Sequence, residues 1–361
     1  MTAEPGRKDA RIALHQPGQS AFLMYAMPST SEQPRYVPTA RLADEARMAR
    51  IAAIAIAALF AFLYVRGIYS FRPLIEWEDL YRYVERFSLD PYYGMTVPQE
   101  FLDYATTEYG WQLIVRGAFD AGLDFEAVFA LISMIAVGLC AHAILRVTNR
   151  PAVLLLLLNP ALIDFFISQV RSALAVAIVL NFARKSLPVG IAAILLSSAI
   201  HTSMMLFMIP LFLNAMRLRS SADNPRNTPP AWFWLLVAVA IGTLLASFQT
   251  LILGAIGDRR ASYADTDLSA GPLLTLAWTM IGIVGAVLTR HRSTWPGMAA
   301  FFMLAMFTVS SMFGLYSHRY AAFFMPLMAM SIGGTLTPTA NRMAFFGVYA
   351  AFSLVYFSFW L

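Results

Sequence analysis

Arg171, His201 and the adjacent His318 and Arg319 interrupt long apolar runs, and their side-chain types suit an anionic ligand. A charge near hydrocarbon is expensive enough that it usually sits in a polar cavity with a task. Guanidinium groups bind phosphate oxygens bidentately and keep their charge, so Arg171 and Arg319 on separate segments, with a histidine, suit a pyrophosphate clamp. A histidine side chain ordinarily titrates near neutral pH, so His201 could serve as a general base or as a phosphate contact. Each residue alone has a plainer reading. Arg171 could snorkel to a headgroup, His201 could be a hydrogen-bonded structural residue, and His318 with Arg319 could anchor a helix end.

The flanking residues add to the pattern. Arg171 follows Asn159, Pro160, Asp164, Ser168 and Gln169 in an otherwise apolar segment, more polar groups than an anchor needs. If that segment is one helix, Asp164, Ser168 and Arg171 share a face at intervals of four and three. His201 lies between Ser197 and Ser198 on one side and Thr202 and Ser203 on the other. Asp265-Thr266-Asp267 has a metal-binding form, but the pattern is too short to carry a metal site. The sequence contains no Gly-rich phosphate loop and no His-Glu-x-x-His element, so neither ATP-driven nor zinc-protease chemistry is expected.

The elements that must position these groups are membrane helices. Hydrophobic residues make up 59% and charged residues 13% of the chain, against about 25% charged in soluble domains; mean hydropathy is +0.61. The expected fold class is all-α, a polytopic integral membrane protein. Lys and Arg gather in cytoplasmic loops, and placing Arg41/Arg47/Arg50, Arg146/Arg150, Arg184/Lys185, Arg217/Arg219/Arg226, Arg290/Arg292 and Arg342 inside gives one consistent path. It has about eleven spans (range 9–12), at 49–66, 125–146, 151–168, 170–184, 187–201, 203–217, 231–254, 271–290, 296–315, 319–337 and 343–360, of which 170–184 and the two halves of 187–217 are short for a bilayer of about 30 Å and could be tilted, broken or buried by neighbours. The amino terminus is then cytoplasmic, and the turns at 168–171, 201–203 and 316–320 all face outside.

The segment 67–108 is the longest external stretch on this path. It carries Glu76, Glu78, Asp79, Glu85, Asp90, Glu100, Asp103 and Glu108 among Trp77, Tyr81, Tyr83, Tyr92, Tyr93 and Tyr104, with Tyr109 and Trp111 beyond. Carboxylates accept sugar hydroxyls and rings cover pyranose faces, so this acidic, aromatic loop suits a glycan. An ordinary interfacial aromatic belt is the plainer alternative. Residues 109–121 are expected to form a short interfacial helix. Residues 1–47, poor in large apolar groups, are expected to be a flexible cytoplasmic tail before a membrane domain over 48–361. The run 21–27 is too short for a signal-peptide core, and translation from Met24, Met27 or Met48 would remove the tail alone. The net charge of +5 comes from dispersed helix-end arginines and does not point to nucleic acid. The single cysteine, Cys140, excludes an intrachain disulfide and is expected to pack in the core.

With these residues in view, the chain resembles the EpsG-type branch of the Wzy-like bacterial polysaccharide polymerases over roughly residues 70–340. The similarity is carried by Ser168-Gln169-Val170-Arg171-Ser172-Ala173-Leu174-Ala175 and by Ala199-Ile200-His201-Thr202-Ser203. Upstream, Glu78-Asp79-Leu80-Tyr81-Arg82-Tyr83 and Glu108-Tyr109-Gly110 complete the ordered set. Ser172 departs from the pattern, since the family often has Gln after the Arg. The resemblance marks Asp79, Glu108, Arg171, His201 and Arg319 as site candidates. It implies an undecaprenyl-pyrophosphate-linked glycan as donor, a second lipid-linked glycan as acceptor, and room for a chain-length regulator as partner.

The expectation is a metal-independent, cofactor-free glycosyltransferase of the bacterial inner membrane, making exopolysaccharide or O-antigen with its site at the external face. Arg171 and Arg319, with His318 beside them, would hold the departing pyrophosphate. Asp79, Glu108 or His201 would take the proton of the attacking hydroxyl. The alternatives are a flippase for an anionic lipid-linked glycan and an O-antigen ligase.

Overall fold

The computed structural model describes residues 39–72, 77, 80, 81, 84, 85, 99, 104, 107–183, 185–223, 229–255, 271–288, 294–313, 317–333 and 340–360. The chain divides after Arg47, and the larger unit is Met48–Leu361. Its helices are α1 (Thr39–Phe71, which begins upstream of the division), α2 (Tyr109–Asp120), α3 (Phe125–Thr148), α4 (Pro160–Ile167), α5 (Val170–Phe182), α6 (Leu187–Ile200), α7 (Met208–Asp223), α8 (Ala231–Ser247), α9 (Gln249–Ala255), α10 (Pro272–Leu288), α11 (Trp295–Met312), α12 (His318–Gly333) and α13 (Ala340–Trp360). Two 3-10 helices, Pro151–Leu158 and Thr202–Phe207, lie between them. Among the described residues there is no strand, and the protein is an all-helical membrane protein.

Asp44–Phe71 within α1, and the whole of α3 and α11, are long and apolar enough to cross a bilayer singly. α4 and α5 together would make a fourth crossing, but the chain bends by 102° between them. α13 contributes a shorter apolar stretch, Met343–Ser358, and α5 with 13 residues and α6 with 14 are shorter still. Length and composition therefore account for three or four of the eleven expected spans. α3 shows why a long span is easily read. Asp124 caps it by accepting from the Ala127 N–H at 3.0 Å, Glu126 opens it, Arg146 closes it, and Asn149 ends it in the left-handed region. Each of these matches the charge or hydrogen-bond demand of its helix end.

The expected span 151–168 is not one helix. Pro160 has no N–H to donate and its ring crowds the carbonyl four residues back, so helical pairing cannot run through it. The chain forms a 3-10 helix to Leu158, breaks at Asn159 and restarts as α4, with the Asn159 side chain accepting from the Ala161 N–H at 3.0 Å. Carbonyls released at the break are taken by hydroxyls from distant helices: Tyr349 donates to Leu156 O at 2.9 Å and Tyr64 to Leu157 O at 3.1 Å. Asn159 Nδ2 donates to Ser353 Oγ at 2.7 Å. The polar stripe expected from Asp164 through Ser168 to Arg171 is not formed either, because the bend after Ile167 separates Asp164 on α4 from Arg171 on α5. Likewise the expected spans 203–217 and 231–254 are each broken, the first by the 3-10 helix that precedes α7 and the second at Phe248.

α3 packs on α5, α5 on α6, α11 on both α8 and α12, and α12 on α3 and α4, which closes one continuous apolar core. The expected short helix at 109–121 is present as α2, and it lies on α6. Its inner face is Trp111, Val115 and Ala118; Arg116 and Asp120 pair at 3.4 Å on the exposed face. Trp111 is 3% exposed and stacks on Phe129 at 6.0 Å between ring centroids, while Trp77 is 2% exposed. Both indoles are packed inside the protein and do not offer a face to a sugar. Tyr81 and Tyr104 are exposed. Glu76, Glu78, Asp79, Tyr83, Asp90, Tyr92, Tyr93, Glu100 and Asp103 lie outside the described residues, as do Asp265, Asp267 and residues 1–38. Cys140 is buried and free.

Candidate functional site

Four helix ends meet in one place, and each brings a polar side chain. Glu108 is the residue before α2 and has φ 54° and ψ 44°, the left-handed region. A non-glycine residue there carries backbone strain of order 1–3 kcal/mol that the surroundings must hold, and such residues cluster at functional sites. Its carbonyl starts the helix by accepting from the Trp111 N–H at 2.9 Å. Its carboxylate leaves α2 and reaches α5 and α6. Gly110 makes this approach possible, because a Cβ at that position would stand 3.0 Å from the Ala199 carbonyl oxygen and 3.2 Å from the Ala199 Cβ of α6.

Arg171 lies in the first turn of α5, directly after the bend, and donates through Nη1 to Glu108 Oε2. His201 ends α6 with an extended backbone, φ −151° and ψ 113°, before the second 3-10 helix begins. Its Nδ1 is 2.6 Å from Glu108 Oε1, and the Thr202 N–H reaches the same oxygen at 3.4 Å. Arg319, in the first turn of α12, donates from Nε to Gln169 Oε1 at 3.2 Å and sets Nη1 3.5 Å from His201 Nε2. Gln169, the residue before α5, also donates from Nε2 to Asp164 Oδ2 at 3.4 Å. The chain of contacts runs from Asp164 through Gln169, Arg319, His201 and Glu108 to Arg171.

The tautomer of His201 follows from its neighbours. Arg319 can only donate, so the Nε2 beside it must be the acceptor nitrogen and Nδ1 must carry the proton, which goes to the Glu108 carboxylate. His201 is thus a neutral imidazole oriented by a carboxylate, with its lone pair on the Arg319 side. The site is deep. His201 is 1% exposed, and the side chains of Arg171 and Glu108 are 11% and 10% exposed. Arg171 pairs with the Glu108 carboxylate, and Arg319 is linked to a second carboxylate, Asp164, through Gln169.

The structure thus brings Glu108, Arg171, His201 and Arg319 together. Asp79 lies outside the described residues, and of His318 only its position as the first residue of α12 is described. Gln169 and Asp164 join the network although sequence reasoning assigns neither to the site. The one signal for Gln169 is its place in the polar run before Arg171, and nothing in its type indicates a partner 150 residues away. A small apolar cleft between α10, α11 and α12, bordered by Gly282, Gly285, Phe324 and Met328, lies towards the other end of α12 and contains none of these residues. Among the described residues no group of three or more His, Cys, Asp or Glu is placed to hold a metal ion.

The EpsG family profile matches residues 55–361, which is most of the chain and includes every residue of the network. Neither a curated protein nor a solved structure matches the chain significantly. The chain belongs to the EpsG family, and is a membrane protein of polysaccharide biosynthesis.

Proposed function

We propose that this EpsG-family protein is a polysaccharide polymerase that joins undecaprenyl-pyrophosphate-linked repeat units at the external face of the bacterial inner membrane. The carrying observation is the meeting of Arg171 and Arg319 on either side of the Glu108–His201 pair. In this reading an acceptor sugar hydroxyl attacks the anomeric carbon of the donor glycan. A new glycosidic C–O bond forms, the bond from that carbon to the diphosphate oxygen breaks, and the diphosphate leaves on its polyprenyl carrier. The hydroxyl proton passes to His201 Nε2, and Glu108 stabilises the imidazolium through Nδ1–H, as a carboxylate behind an imidazole does in hydrolases.

Arg171 and Arg319 then meet the negative charge that grows on the leaving diphosphate. The Arg319 to His201 contact, at 3.5 Å, is the longest in the network. A phosphate oxygen forms a shorter, charge-assisted bond with guanidinium and would take the Arg319 Nη1–H from His201 while Nε stays on Gln169, which uncovers the His201 lone pair. Glu108 itself is poorly placed as a general base, because both of its oxygens already accept from donors of the protein. Asp79, Tyr81 and Tyr104 belong to the segment that would hold the glycan, with His318 beside the clamp.

The test is Arg171→Ala and His201→Ala, each expressed to wild-type protein level in cells that make the polymer. Polymer should disappear while single lipid-linked repeats accumulate, and normal chain length in both variants discards the site. A flippase reading draws support from the interrupted helices, a device transporters use to build ion and substrate sites. Purified protein and lipid-linked repeats in detergent separate the two, since elongation without a second compartment excludes pure transport. Analysis of whether the acceptor is a second repeat unit or lipid A core distinguishes a polymerase from an O-antigen ligase.

A further inference from the structure

Gln169 stands where α5 begins, at φ −98° and ψ 44°, on the bend that separates α5 from α4. A residue before a helix normally turns a short side chain back onto the first N–H groups, which is why Ser, Thr, Asp and Asn are favoured there. Gln169 makes no such cap. Its amide instead reaches across the bundle and is used at both ends: Oε1 accepts from Arg319 Nε at 3.2 Å, and Nε2 donates to Asp164 Oδ2 at 3.4 Å. The contact to Asp164 also fixes which way the amide faces. A carboxylate accepts and cannot donate, so Nε2 must point to Asp164 and Oε1 must point to Arg319.

We propose that Gln169 is a positioning residue that sets the plane of the Arg319 guanidinium, and that this orientation gives the clamp its affinity for a diphosphate; the second half rests on the polymerase reading. The guanidinium is a rigid planar fork, so pinning Nε fixes the direction of both Nη groups. Held in this way, Arg319 directs Nη1 to His201. Without the pin, Arg319 loses one of the contacts that hold its guanidinium plane, and a bidentate fit to a diphosphate requires the freedom so gained to be removed again on binding. The α4–α5 bend then has a definite purpose: it lets one residue touch α4 through Asp164 and α12 through Arg319.

Orientation and affinity each have their own measurement on the full-length protein in detergent. Arginine Nε–Hε resonances are recorded with 15N-arginine labelling, and the Arg319 signal is identified by its loss in Arg319→Lys. Gln169→Met, of similar volume but without either polar atom, should move that signal; an unmoved signal overturns the positioning role whether or not any ligand binds. Calorimetric titration with inorganic pyrophosphate then tests affinity. Gln169→Met should weaken binding about tenfold, while the double variant with Arg319→Lys should be no weaker than Arg319→Lys alone, because coupled residues do not add. Independent, multiplicative losses overturn the positioning role. A wild-type protein that does not bind pyrophosphate at all, together with a shifted Arg319 signal in Gln169→Met, sinks the diphosphate reading and leaves the orientation standing.

Discussion

Between Pro151 and Phe182 the chain interrupts a helix twice, and the two interruptions gather opposite kinds of side chain. At Asn159 every repairing group is neutral: the hydroxyls of Tyr64, Tyr349 and Ser353 and the Asn159 amide, all buried. At Ser168 and Gln169 the neighbouring groups are charged, and they draw in Asp164, Arg319, Arg171 and, through Arg171, Glu108 and His201. Backbone freed inside an apolar bundle needs only a hydrogen-bond partner. A neutral hydroxyl supplies that at small cost. The charged contacts at the second interruption run between side chains, and a buried charge is costly and must itself be paired, so these ionic groups require an explanation that backbone satisfaction does not provide. A broken helix is therefore a weak sign of function here, and charge at a break is a stronger one.

Substitutions at the two interruptions should have very different effects. The largest is expected for Glu108→Ala, which leaves Arg171 and His201 without their shared acceptor and should cost about 3–5 kcal/mol. Thermal unfolding in detergent should show the loss, together with the disappearance of polymer. A Glu108→Ala protein as stable as wild type would mean that the charges are solvated and that the contrast between the two breaks is not real. Gly110→Ala comes next. Its Cβ must push α2 off Ala199, a misfit of about 1–3 kcal/mol, and because α2 carries Glu108, polymer length should fall further than stability alone implies. The smallest effect on polymer belongs to the neutral break. Tyr349→Phe and Tyr64→Phe each leave one buried carbonyl without its donor, about 1–3 kcal/mol of stability, and polymer length measured on gels should stay at the wild-type value. Polymer lost at full protein level in either variant would make the Asn159 break part of the machinery.

Composition is enough to read an all-helical membrane protein, and the span expected at 125–146 is present as α3, Phe125–Thr148. Hydropathy cannot separate one span from two half-helices, because a leucine run such as 154–158 looks the same whether its helix continues or stops; only Pro160 hints at the break. The pairing of Arg171 is equally hidden. Along a continuous helix its natural partner is Asp164, and the 102° bend sends it to Glu108 instead. Trp77 and Trp111 suggest faces for a sugar because aromatic and acidic residues alternate there, yet composition does not say which side of a segment faces inwards, and both rings are buried. Gln169 escapes sequence reasoning for a related reason. An amide has no charge to draw attention to it, and its role lies in two contacts that exist only after α4 and α12 have been brought to it.

α5 and α6, with 13 and 14 residues, reach only about 20 Å each at 1.5 Å per residue, against roughly 30 Å of hydrocarbon. For helices standing along the membrane normal with the exposed Lys185 between them in water on one side, Arg171 and His201 would fall about 10 Å short of the opposite boundary. The bilayer would then dimple towards them, or water would fill a well above them, and a thicker lipid makes either deformation harder. The rate of this protein should accordingly depend on the acyl-chain length of the vesicles that hold it, being fastest in thin bilayers. A rate indifferent to thickness would mean that neighbouring helices shield the well from lipid altogether.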